Sequence, residues 1–195
     1  MKSFLKIFLL IFFISPIIVL AQSHSHKSKY VGEEQRKIKS LSADDISELK
    51  KGGGWGLAKA AELNGVPGPA HILELEKQIG LTDLQKQEIQ KVFEKMRSEA
   101  IPLGEKLIQL EEELNSSFAN QEISQDLLES SISKIERVRA KLRIVHLSAH
   151  LKTSKILTNQ QIKIYNELRG YKSDPCKNIP EGHNPKMWKK HNNCE

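Results

Sequence analysis

Between Asp83 and Phe118, Ile89, Phe93, Met96, Ala100, Leu103, Leu107, Leu110 and Leu114 recur in alternating steps of four and three. That spacing gathers them on one side of an α-helix, whereas a strand would scatter them over both faces. At 1.5 Å per residue the helix is roughly 50 Å long. Pro102 lies inside it, and its missing N–H and its ring predict a kink or a break between Ser98 and Pro102. Leu128, Ile132, Ile135, Val138, Leu142, Val145 and Ala149 carry a matching stripe in a second run, which Ser124 can cap and which extends to about Lys155. The polar stretch SSFANQEIS between them turns the chain near Asn120. Two long amphipathic helices joined by a short polar turn pack as an antiparallel hairpin. No segment alternates with period two. The expected fold is all-α, a long antiparallel helical hairpin kinked near Pro102 with short flanking helices. Ile144, Leu147 and Leu151 fall away from the seam, and such a second apolar face calls for a partner, most simply a second copy in a homodimer.

The pattern Leu-Thr-x-x-Gln occurs twice, as LTDLQ from Leu81 and LTNQQ from Leu157. Thr followed three residues later by Gln is a capping box. Thr82 and Thr158 accept from a backbone N–H one turn on, while Gln85 and Gln161 reach back to the cap. Each box therefore marks a helix start. In the second copy Leu157 and Ile162 can also form a hydrophobic staple, while the first offers only the Lys86 stem. Ser42 caps a short helix in SADDISELKKGGG, and WGLAKAAELNG adds a turn or two. GPAHILELEKQIG reads as one helix of about ten residues, with Pro69 in its first turn and Gly80 just past its end. TNQQIKIYNELRG is a last short helix stopped by Gly170.

Residues 1–21 are set apart from this body. Lys2 and Lys6, an apolar run from Ile7 to Leu20 and the small residue Ala21 read as a secretory signal peptide cut after Ala21, the rival being an uncleaved N-terminal anchor. The expected location is the periplasm. Without the leader the formal charge falls from +6 to +4, because two lysines leave and no acid does. Basic and acidic residues interleave along the helices, which argues against nucleic acid. Residues 22–40 are polar and expected to be flexible, 41–171 form the helical domain, and 172–195 form a tail. The two cysteines, Cys176 and Cys194, both lie in that tail, and in an oxidising compartment a disulfide is the default. With His183 and His191 they could instead make a zinc site, although the spacing matches no common zinc module.

Two LTxxQ boxes flanking a long helical hairpin behind a signal peptide resemble the Spy/CpxP superfamily, with its ZraP-like zinc-responsive and CnrX-like metal-sensing relatives. The stretches GWGLAKAAELNGVPGPAHILELEKQIGLT, RIVHLSAHL and YNELRGY extend the resemblance over about Leu41 to Tyr171. It implies a cradle-like dimer of bent hairpins that binds unfolded protein clients or a metal ion without nucleotide. A membrane sensor kinase or a sigma-regulatory protein is a further possible partner. It implies no catalysis. The chaperone members resemble one another in basic concave faces, whereas EKLIQLEEEL here mixes signs.

His146 and His150, spaced i and i+4, emerge on one helix face within reach of a single ion. An antiparallel register turning at Asn120 sets them opposite Gln90 to Glu94, making Glu88 or Glu94 an oxygen ligand. His71 on the short helix before the hairpin can fold over the same end. Histidines with a carboxylate suit zinc, nickel, cobalt or copper far better than calcium. The plainer alternative makes His146 a hydrogen-bonded core residue and His71 a partner for a loop carbonyl. His24 and His26 are a small tract that captures metal weakly or is simply solvated. Trp55 and Trp188 are client contacts or loop packing. Met96 and Phe93 belong to the seam. The glycines of GGGWG read as a linker. No nucleophile with a base, phosphate loop or cofactor fingerprint is present, and no cofactor is required, so the chain reads as a non-enzyme.

Overall fold

The computed structural model describes residues 27–171 and 176–194. The signal peptide and the His24/His26 tract lie outside them. A first compact unit ends at Glu34. Its residues 27–34 form successive turns, with Glu33 N–H donating to Tyr30 O at 3.0 Å. The second unit, from Gln35 onward, holds every α-helix among the described residues.

These helices are α1 (Ala43–Lys50), α2 (Lys59–Glu62), α3 (Pro69–Glu74), α4 (Glu76–Ile79), α5 (Asp83–Ala119), α6 (Gln125–Ile156), α7 (Asn159–Leu168) and α8 (Pro185–His191). All regular structure among the described residues is helical. The two apolar stripes become the long helices α5 and α6, which pack extensively on each other. Gln85, early in α5, meets Ile156 at the end of α6, whereas Glu111, late in α5, meets Arg139. α5 runs unbroken across Pro102.

A first core follows the seam. Ala100, Leu107, Ile135 and Leu142 are at most 2 % exposed, and burying such a Leu or Ile contributes about 1.5–3 kcal/mol. Ile132, placed on the same seam by its spacing, is instead 42 % exposed. α1 closes this core by laying its C-terminal backbone on α5 at Gly104, where any Cβ would collide with the Leu49 carbonyl. Residues 37–41, expected within or at the edge of a flexible polar segment, also lie against α5. Ile38 and Leu41 are buried, and Lys39 N–H donates to Asn115 Oδ1 at 3.2 Å. One isoleucine in a polar run carries no periodicity, so nothing in the local sequence marks it as core.

The second core gathers Ile72, Ile79, Ile89, Leu157 and Tyr165. Around it the stretch expected to form one helix splits into α3 and α4 at Leu75, whose backbone departs to φ −100°, ψ 15°. Ile72, Leu73, Leu75 and Ile79 all pack in this cluster. A straight helix would carry Leu73 to a different side from Ile72 and Ile79.

Both capping boxes close here, and they also close on each other. Gln85 Nε2 donates to Gln161 Oε1 and Gln161 Nε2 to Gln85 Oε1, each at 2.9 Å. Each amide also donates to the carbonyl just ahead of the other motif, Ile156 O at 2.9 Å and Gly80 O at 3.1 Å. The repeated glutamines thus form a reciprocal clasp that joins the start of α5 to the start of α7.

Candidate functional site: a histidine cleft

The turn-and-short-helix segment from Gly54 to His71 lies over α5 and α6 and leaves a cleft of about 340 Å³. α6 supplies His146 and His150, one helical turn apart, and α3 supplies His71. Pro69 starts α3 and Gly68 precedes it, so the backbone approaches α6 closely. A Cβ on Gly68 would stand 2.5 Å from His150 Nε2. The opposite wall is Trp55, held at φ 42° with its indole N–H donating to Asp45 Oδ1 at 2.8 Å. Arg139 stacks over that ring at 4.9 Å while pairing with Glu111 at 3.0 Å. Glu111, only 6 % exposed, also accepts from Ser40 Oγ at 2.8 Å. A side-chain relay therefore fixes the indole wall from behind.

His146 is 2 % exposed, and its Nε2 is buried without a hydrogen-bond partner. Desolvation, reinforced by the neighbouring His150 and only partly opposed by Glu48, holds its pKa below the ordinary value. It stays neutral near neutral pH, and an unsatisfied buried nitrogen is costly unless something occupies it. His150 differs. Its Nδ1 lies 2.8 Å from Val66 O, which can only accept, so Nδ1 carries a proton. His71 Nδ1 is bonded at 2.9 Å to Glu74 Oε2.

One oxygen of each of the cleft carboxylates Glu62 and Glu48 is engaged. Glu62 Oε1 accepts from Tyr171 at 2.5 Å, Tyr165 at 2.8 Å and Arg169 at 3.2 Å. Burial pushes Glu62 up, yet the two phenols and the guanidinium outweigh it and leave the pKa below the usual carboxylate value. Burial and the same carboxylate push the Tyr165 and Tyr171 hydroxyls up, so both remain donors. Glu48 Oε1 accepts from the Trp55 N–H at 2.7 Å.

The structure thus brings His71, His146 and His150 to one cleft but leaves Glu94 outside it. Glu94 is exposed and accepts from Gln90 Nε2 at 2.8 Å. Among the described residues no three His, Cys, Asp or Glu side chains stand together to hold an ion. Met96, read from its spacing as seam alone, also lines this cleft. In the tail Cys176 and Cys194 are bonded to each other, Cα–Cα 5.5 Å, so neither offers a thiolate. His183 there stacks edge-on against Trp188 at 4.8 Å.

The chain stands beside known protein families, curated proteins and solved structures without a counterpart. Among the described residues no helix is long and apolar enough to cross a membrane.

Proposed function

We propose that the exported chain is a Spy/CpxP-like binding protein of the periplasm, which holds unfolded polypeptide without nucleotide. On this reading α5, bent at Pro102, and α6 form a hairpin, and two hairpins make a cradle-like homodimer. One observation carries the proposal. Ile144 and Leu151 are 63 % and 59 % exposed, and with half-buried Leu147 they make one stripe along α6. Exposed Arg137, Lys141 and Lys155 lie beside it at helical spacing. An apolar stripe rimmed by cations suits loosely structured chains that expose apolar and acidic groups together. The test is suppression of aggregation of a denatured client at substoichiometric protein. Ile144→Glu/Leu151→Glu should abolish suppression while leaving the circular dichroism spectrum unchanged. Equal suppression by wild type and variant would exclude this face, and failure of the wild type with several clients would end the reading.

A second reading is favoured by His146 itself, a buried imidazole with an unpartnered nitrogen in a cleft shared with two other histidines. Here the protein senses or buffers a heavy-metal ion, of zinc, nickel, cobalt or copper, and reports it to a membrane kinase or a sigma-regulatory partner. Titration calorimetry on wild type and His146→Ala/His150→Ala decides it. Identical isotherms would remove the site.

A further inference from the structure

We propose that the disulfide-closed tail docks the protein on an anionic phospholipid surface through α8, with Lys186, Lys189 and Lys190 on the headgroups and Met187 against the acyl boundary. The inference is independent of both readings above and uses none of their residues. Cys176 and Cys194 close the loop, their Cα atoms 5.5 Å apart. Between them four lysines stand against one acid, Glu181, an excess that makes up half of the formal +6 of the whole chain. Along α5 and α6 the signs interleave, whereas here they separate.

The short helix sorts its own side chains. At about 100° per residue, Lys189, Lys186, Lys190 and Met187 follow one another around about 160° of the helix surface. All four are exposed, Met187 at 61 %. Trp188 falls on the opposite side, half-buried, its ring edge-on to His183 at 4.8 Å. The indole therefore packs the loop and leaves one cationic arc, bordered by a thioether, turned outward.

Helix formation does not account for that arc. Cations in the last turn complement a helix C-terminus, which explains Lys189 and Lys190. Lys186 sits in the first turn, where a cation opposes the dipole and no acid accompanies it. It also lies one turn from both other lysines, a like-charge spacing that weakens a helix. The Asn184 cap, whose Oδ1 accepts from the Lys186 and Met187 N–H groups at 3.0 and 3.2 Å, holds the first turn despite this. Among the described residues no carboxylate pairs with these three lysines, and no other helix packs extensively on α8. Its partner must supply negative charge and, beside it, room for an apolar side chain. An anionic bilayer surface supplies both, since headgroups attract the lysines and the layer beneath them takes the methionine. A soluble polyanion offers nothing to Met187.

The experiment sediments the oxidised mature chain with vesicles of phosphatidylcholine alone and of equal parts phosphatidylcholine and phosphatidylglycerol, with dextran sulfate binding measured separately. Binding is expected on the anionic vesicles only and should weaken as salt is added. Affinity should fall roughly fivefold for each lysine replaced by glutamine, and roughly 100-fold in Lys186→Gln/Lys189→Gln/Lys190→Gln. Met187→Ser should lower vesicle affinity roughly tenfold and leave dextran sulfate binding unchanged. All four side chains are exposed, so the variants should keep the wild-type circular dichroism spectrum. A wild type that ignores anionic vesicles, or a triple variant that binds them as wild type does, overturns the assignment. Vesicle binding that falls with the lysines but not with Met187→Ser would mark a general polyanion surface and overturn lipid docking.

Discussion

The glutamine clasp and the histidine cleft are both polar pairs set into the helical body, and they end differently. Gln85 and Gln161 exchange two hydrogen bonds, and each also satisfies a carbonyl of the other's motif. His146, no less buried, leaves a ring nitrogen with nothing. A buried polar network satisfied throughout holds a structure together, whereas a buried polar atom without a partner lowers stability. The clasp accounts for part of the fold, while the cleft is where the metal reading proposed above would have to act.

The largest effect should come from breaking the clasp. Gln161→Leu keeps the volume but takes the partner from one Gln85 Nε2–H, from Gly80 O and from the Thr158 backbone N–H, and should cost about 2–3 kcal/mol in urea unfolding. Gln85→Leu should cost a similar amount, and the double variant should fall short of the sum by about 1–2 kcal/mol. Strict additivity would mean that the two boxes act separately, and the comparison would lose one side.

A middling effect belongs to Glu62 at the rim of the cleft. Its folded pKa lies below the unfolded value, so its contribution is full above about 4.5 and is lost as pH falls through the folded value. Glu62→Gln should lower stability at neutral pH by about 1–2 kcal/mol and flatten the acid limb of the stability profile. Acid limbs that superimpose for the two proteins would show that Glu62 is not held as described.

The smallest effect should be at the cleft floor. His146→Leu in metal-free protein should leave stability unchanged or raise it by up to about 1 kcal/mol, because it removes a buried polar atom that has no partner. A loss comparable to that of Gln161→Leu would reveal a hidden structural role and erase the contrast.

The long pair was legible because its evidence is repeated: fifteen apolar positions across Ile89–Leu114 and Leu128–Ala149 vote for two stripes. The boxes were legible as helix starts, since Thr-x-x-Gln is a local signal. Their mutual pairing was not, because an amide donor carries no mark of which distant acceptor it will meet. His146 and His150 could be placed on one face from spacing. Glu94 was misplaced by a register drawn from the turn alone, which cannot report the rotation of each helix about its axis. The relay from Ser40 through Glu111 and Arg139 to Trp55 was invisible for a different reason. EKLIQLEEEL reads as a charged outer face, and only tertiary packing singles out Glu111 from its acidic neighbours as the buried one.

The exchanged amides join residues 76 positions apart in the chain. The first turns of α5 and α7 consequently form one opening unit, and fraying at either should release both. Amide hydrogens there should share a common exchange free energy that drops together when either glutamine is replaced, so that distant segments of sequence report a single local unfolding event.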